Sequence, residues 1–195
     1  MANVQSQFGF RHIGYLSGGG PDYQLATRAI QSTNATKIYF GDPVIKGANS
    51  AYILQAATAT NTTVLEGIFQ GCTYTPAGGT TTWSPFWPGA AAADATAYII
   101  NAPNALFLAA ALNTAISSAN IGNGITFNLG TGSTVGGGFS GATVDQSTLS
   151  TSAASPFQLY SLFPGIGNGS DPTTAYNWVV VTFANQRFKN NTGVA

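Results

Sequence analysis

Short runs in which apolar and polar residues alternate, separated by glycine, proline and asparagine, recur along this chain. The clearest runs are 125–129, 157–163 and 178–183, and an alternation of period two predicts half-buried strands. Further strands are predicted at 37–40, 44–46, 51–54, 64–74 and 95–100. Because short strands separated by turn residues are typical of sandwiches and barrels, we expect a mostly β protein, an antiparallel β-sandwich or barrel.

Two local features refine this expectation. Gly67 or Gly71 is expected to mark a bulge in the strand at 64–74, and residues 80–83 are expected to return against that strand. Segment 104–119 is ambiguous between a strand and a helix. The recurrence of leucine and isoleucine at every fourth position, Leu108, Leu112 and Ile116, favours a helix.

The first 24 residues differ from the rest of the chain. A Gly-Gly-Gly-Pro break at 18–21 is incompatible with a helix or a central strand. We therefore expect an extended N-terminal arm over 1–24, which is either a loose tail or a segment whose aromatic side chains dock on a neighbour. Residues 25–195 are expected to form the β-rich domain, and an inserted subdomain around 76–150 stays open.

Charged residues make up only 6% of the chain, and the six Lys and Arg residues balance the six Asp and Glu residues. Such a chain has no electrostatic footprint for nucleic acid or for an anionic membrane surface, so neither is expected as a partner. No apolar run is long enough to span a membrane, and no signal peptide is expected from the first residues. A neutral chain is poorly protected against association, which suits a protein that works within an assembly.

Residues that carry enzyme chemistry are few. His12 is the only histidine and lies in the predicted arm, so we expect a solvent-facing or interface residue and no Ser-His-Asp triad. Glu66 is the only glutamate, and the five aspartates stand apart beside turn residues, where they usually brace turns. Cys72 alone excludes an internal disulfide and a cysteine-based metal cluster. We expect no enzymatic activity, metal or other cofactor.

A series of motifs resembles a known family. Their order is Phe8-Gly9-Phe10-Arg11, a Tyr-Leu-x-Gly segment at 15–18, Ile38-Tyr39-Phe40-Gly41-Asp42-Pro43-Val44, the stretch 65–74, Trp87-Pro88-Gly89 and Thr192-Gly193-Val194. In this order they are similar to tailed-bacteriophage head proteins known as capsid decoration, cement or minor structural proteins. This chain departs from the family at Gln186-Arg187-Phe188, where members often carry a histidine near the last strand.

The resemblance implies a non-enzymatic virion protein, made in the bacterial host cytoplasm, that binds the outer surface of an icosahedral capsid. Its partner would be the major capsid protein, and it would form a homotrimer or a dimer at a symmetry axis and cement neighbouring capsid proteins. The resemblance also favours a strand at 105–110, which leaves at most one short helix over 112–118. The residues expected to contact capsid or sister subunits are Phe8, Phe10, Arg11, Tyr15, Tyr23, Phe86 and Trp87.

Three other functions were weighed. A glycan- or receptor-binding β-module of a phage tail or fibre would use Trp83 and Trp87 as stacking platforms. A coat subunit is disfavoured because the pattern leaves little room for a long helix, and a hydrolase is disfavoured by the single histidine and the scattered acids.

Overall fold

The computed structural model describes residues 2–6, 8–22, 24–48, 50–57, 60, 62–134 and 137–189. It contains twelve strands and one short 3-10 helical turn, Ser118–Asn120, among these residues. The strands are β1 (Arg11–Tyr15), β2 (Ala26–Ile30), β3 (Pro43–Lys46), β4 (Ile53–Gln55), β5 (Gly67–Tyr74), β6 (Thr82–Ser84), β7 (Ala95–Ile100), β8 (Ala105–Ala110), β9 (Gly124–Asn128), β10 (Thr143–Ser150), β11 (Phe157–Leu162) and β12 (Trp178–Phe183). No helix in the described ranges has the length and apolarity needed to cross a membrane.

Two antiparallel sheets pack together as a β-sandwich, which confirms the predicted fold class. The first sheet has the order β1-β8-β12-β11-β9-β10. The second has the order β2-β7-β5-β3-β4, and β6 adds to β5. Aromatic and aliphatic side chains of the first sheet, among them Phe107, Phe157 and Phe183, form one core with Ile68 and Ile100 of the second sheet.

The second sheet is curled and has a core of its own on its other face. Ile68 belongs to the core between the sheets, whereas its neighbour Phe69 belongs to the second core, as the alternation of a strand requires. Ala29 of β2 forms a parallel bridge with Tyr52, the residue that precedes β4, so the two ends of this sheet come together. The curl therefore encloses a second set of apolar side chains, including Trp87.

The predicted bulge and hairpin on β5 are both present. The pairing of β5 with β7 shifts between Phe69 and Gly71, and Gly71 has a φ of +127°. A Cβ at Gly71 would lie 2.9 Å from the carbonyl oxygen of Ser84 on β6, so glycine is needed here for both its conformation and its size. Strand β6 returns against β5, as expected for 80–83.

No helix forms over 112–118, where at most one short helix was expected. The backbone of Leu112 donates to the carbonyl oxygen of Val144 at 2.8 Å, and Asn113 adopts a left-handed φ of 47°. The side chain of Asn177 accepts from the Ile116 amide at 3.0 Å and donates to its carbonyl oxygen at 2.8 Å. These bonds replace the ones that a helix would make. Ile116 is a buried core residue although its segment is not helical, so the spacing of apolar residues in this segment does not mark the face of a helix.

The expected division into an arm and a domain does not match the packing. Phe10 lies in the core between the sheets, and β1 pairs with β8 along Arg11–Tyr15. Residues 8–15 are therefore part of the sandwich. Strands from the range 76–150 occur in both sheets, so this range has no core of its own. The strand predicted at 37–40 is reduced to isolated bridges of Ile38 with Trp87 and of Phe40 with Phe139.

Candidate functional site

Three of the expected contact residues lie inside the protein. Phe10 and Trp87 have no exposed surface, and Phe8 has 8%. The Phe10 ring stacks on Phe157 with centroids 4.5 Å apart, and the Trp87 indole donates to the carbonyl oxygen of Asn34 at 2.9 Å. Because these side chains are already enclosed by their own chain, they act as core residues in this fold, which corrects their assignment as contact anchors.

Arg11, another expected contact residue, lies at the surface beside two aromatic rings. Its guanidinium lies over the rings of Phe8, at 5.7 Å, and Phe139, at 5.2 Å. Arg11, His12 and Phe139 help to line a cavity of about 240 Å³. His12 is buried and its Nε2 lies 3.0 Å from the Gly14 carbonyl oxygen, so of its two expected positions, solvent-facing or interface, the solvent-facing one is wrong. Burial lowers the pKa of His12.

The other expected contact residues are Tyr15, Phe86 and Tyr23. The Tyr15 hydroxyl donates to the Asp22 carboxylate, and burial together with this bond raises the pKa of Tyr15 to about 12. Phe86 is half-buried and stacks on Tyr39 with centroids 6.2 Å apart. Tyr23 lies outside the described residues.

Two exposed apolar side chains lie on segments that pack against each other, the N-terminal segment and the loop after β11. Val4 is 68% exposed and Ile166 is fully exposed. Asn168 accepts a hydrogen bond from the Val4 amide at 2.6 Å and donates one to the Val4 carbonyl oxygen at 2.9 Å. We call Val4 and Ile166, joined through Asn168, the Val4–Ile166 patch.

Further contacts fix this patch to the sandwich. The Asn3 side chain accepts from the Gly169 amide at 2.9 Å and donates to the Asp171 carbonyl oxygen at 2.8 Å. Beneath the loop, the Trp178 ring meets Phe8 at 5.1 Å in an edge-on arrangement. The predicted anchor Phe8 therefore helps to hold the segment that carries Val4.

A cationic pocket lies where the curled second sheet meets the C-terminal segment. It has a volume of about 230 Å³ and is lined by Arg28, Lys46, Ala51, Ile53, Glu66, Arg187 and Phe188. Arg28 comes from β2, Lys46 from β3 and Ile53 from β4, whereas Glu66 directly precedes β5. Arg187 arrives because its amide donates to the Leu65 carbonyl oxygen at 3.0 Å, beside the parallel bridge between Leu65 and Gln186.

Glu66 is the buried centre of this pocket. Its Oε1 receives Arg28 Nε at 2.5 Å, and its Oε2 lies 3.6 Å from Arg187 Nη1. The glutamate side chain is only 4% exposed, whereas both arginine side chains are 26% exposed. The carboxylate thus orients two guanidinium groups that still reach solvent.

Within the described residues, chemistry typical of enzymes is thin. No group of three or more His, Cys, Asp or Glu side chains there is placed to hold a metal ion. Burial raises the pKa of the Cys72 thiol to about 12, which makes it a poor nucleophile. Asp42 accepts from the Tyr39 amide and from Gln55 Nε2, both at 2.7 Å, and Asp171 accepts from the Thr173 amide, so both brace turns as expected.

Neither the Val4–Ile166 patch nor the cationic pocket follows from a local sequence signal, because their residues are far apart in the chain. The comparisons with known proteins add no further constraint: no family model, curated protein or solved structure matches this chain.

Proposed function

We propose that this protein is a structural virion protein that binds the outer surface of an icosahedral phage capsid and cements neighbouring major capsid proteins, as a trimer or a dimer at a symmetry axis. The order of motifs that resembles the decoration family suggests this class of function. The observation that carries the proposal is the Val4–Ile166 patch, in which two exposed apolar side chains lie on two segments that Asn168 joins by hydrogen bonds.

Single exposed apolar residues are common on protein surfaces. Here, however, the backbone of one of them is held in place, because Asn168 binds both backbone groups of Val4. Asn3 accepts from the amides of Gly169 and Asp171 in the same loop, one and three residues further on. A contact that is ordered before binding loses less conformational entropy on docking, so it binds more tightly than a mobile one. This supports a role for the patch as a contact with the capsid.

Charge and lattice geometry support the same function. A surface of low charge meets a partner through apolar fit and backbone hydrogen bonds, with little ion pairing. On a capsid each oligomer would make several equal contacts at once, so modest single contacts would add up to firm attachment.

The test is co-sedimentation with expanded heads of the phage that encodes the chain, using Ile166→Asp and the matched control Ile121→Asp. Both isoleucines are exposed, but Ile121 directly follows the 3-10 turn and is not one of the residues that form the patch. We expect the wild type and Ile121→Asp to pellet with heads and Ile166→Asp to stay in solution while folded by circular dichroism. If Ile166→Asp pelleted with heads as the wild type does, the patch would not be the capsid contact. If the wild type itself did not pellet with heads, the proposed function would be rejected.

The second candidate, a glycan-binding module of a tail or fibre, rests on Trp83. Its side chain is 59% exposed on β6 and is available for stacking on a sugar. Trp87 is enclosed, so the paired platform proposed from the sequence is not formed. Quenching of Trp83 fluorescence by oligosaccharides, absent in Trp83→Ala, would favour this candidate.

A further inference from the structure

The cationic pocket concentrates charge in a protein that has little. Of the six Lys and Arg residues, Arg28, Lys46 and Arg187 line this one pocket. Glu66 is the only acidic residue among its lining side chains, so two positive charges are left unbalanced there. Within the described ranges Lys46 takes part in no ion pair. The pocket therefore attracts an anion.

The two arginines are held in a way that leaves donors for a ligand. Arg28 uses Nε for Glu66 and one Nη for the Thr27 carbonyl oxygen at 2.8 Å, and its guanidinium lies 5.5 Å from the centre of the Phe188 ring. Arg187 meets Glu66 only at 3.6 Å, beyond hydrogen-bond range. The planar guanidinium group of Arg187 therefore keeps its donors, and its shape matches the two oxygens of a carboxylate.

The remaining wall of the pocket is apolar. Ala51, Ile53 and Phe188 contribute methyl groups and an aromatic ring. A ligand that fits this wall sets an anionic group against the cations and a short aliphatic stem against the wall. A phosphate ion fits less well, because it has no apolar stem to cover this wall and would set polar oxygens against it.

From these contacts we infer that the pocket binds a carboxylate group carried on a short aliphatic stem, as in a glutamate side chain or a small dicarboxylate. Lys46 and Arg187 bind the carboxylate, and Ile53 and Phe188 pack against the stem. Glu66 holds Arg28 in position and attracts Arg187 across 3.6 Å. This inference does not depend on capsid binding, since it concerns a different surface from the Val4–Ile166 patch.

The test is titration of the ¹⁵N-labelled full chain at low ionic strength, followed by the amide shifts of residues around the pocket. The probes are glutarate, glutamate blocked at both backbone ends, and inorganic phosphate. We expect saturable shifts at Ala51 and Ile53 with the carboxylates, and binding about tenfold weaker in Lys46→Met, because one charge-assisted hydrogen bond is lost. Lys37→Met, which makes the same charge change at an exposed residue outside the pocket, should bind as the wild type does.

The two carboxylate probes distinguish the source of the ligand. Equal affinity for blocked glutamate and glutarate would indicate a protein side chain, and binding of glutarate alone would indicate a small dicarboxylate. The inference fails if neither carboxylate shifts the pocket amides, if phosphate binds as tightly as they do, or if Lys46→Met and Lys37→Met are affected equally.

Discussion

Asn168 binds the backbone of Val4 on both sides, accepting from its amide at 2.6 Å and donating to its carbonyl oxygen at 2.9 Å. The two residues are 164 positions apart in the chain, and the Asn168 side chain binds the N-terminal segment through its backbone, as a neighbouring strand would. Together with the bonds of Asn3, this contact holds part of the expected N-terminal arm against the loop after β11.

The replacement Asn168→Ala removes both bonds at once. Because water replaces both hydrogen bonds, the free energy that holds the N-terminal segment in place should fall by only about 1–2 kcal/mol. Hydrogen exchange of the Val4 amide should then become roughly tenfold faster. Hydrogen-exchange mass spectrometry of the N-terminal peptide measures this. Asn104→Ala, at an exposed asparagine whose side chain bonds to no described residue, serves as the control. Equal exchange in both variants would show that Asn168 does not hold the segment.

Phe10 and Trp83 test the assignment of core and surface aromatics. Phe10→Ala should lower the free energy of unfolding by about 3–5 kcal/mol, because it empties a fully buried ring position between Phe157 and Phe127. Trp83→Ala should cost about 1 kcal/mol or less, since the indole is mostly in solvent. Urea unfolding compares the two. A small loss for Phe10→Ala would support an extended arm that packs outside the sandwich.

Cys72 reports on opening of the curled sheet. Its thiol is fully buried, and burial raises its pKa to about 12, so a water-soluble disulfide reagent should react only after the protein opens. We expect one thiol to react at once in denaturant and very slowly without it. Rapid reaction of the native protein at pH 8 would contradict the enclosed position of Cys72.

The raised pKa of Tyr15 should make the folded protein less stable at high pH. Its phenol has a pKa of about 12, above the ordinary value of 10, because burial and the bond to Asp22 favour the neutral form. This contribution to folding is present in full below pH 10 and is lost as the pH rises from 10 through 12. The difference between wild type and Tyr15→Phe in tyrosinate absorbance should show this late titration. A step near pH 10 would contradict it.

The sequence indicated the strands that carry a strong apolar alternation. The predictions for 95–100 and 178–183 match β7 and β12, because both strands lie inside their sheets and every inward position is apolar. It missed β10, an edge strand with mostly half-buried polar residues that has no such pattern. It also missed β1, where Gly14 interrupts the alternation.

The candidate sites depend on topology more than on pattern. Trp83 and Trp87 are four residues apart, yet Trp87 pairs with Ile38 and lies in the second core, whereas Trp83 is mostly exposed. Arg28, Glu66 and Arg187 stand singly in the sequence, where single charges carry no signal. They meet because β2, β5 and the C-terminal segment converge at one end of the curled sheet.

The most direct measurement of the central claim is electron microscopy of heads pelleted with the wild-type protein. The proposal predicts regular density on the outer capsid surface, with a fixed copy number at one type of symmetry axis and with the Val4–Ile166 patch facing the major capsid protein. Bare heads with the protein left in solution, or density confined to tails, would contradict it.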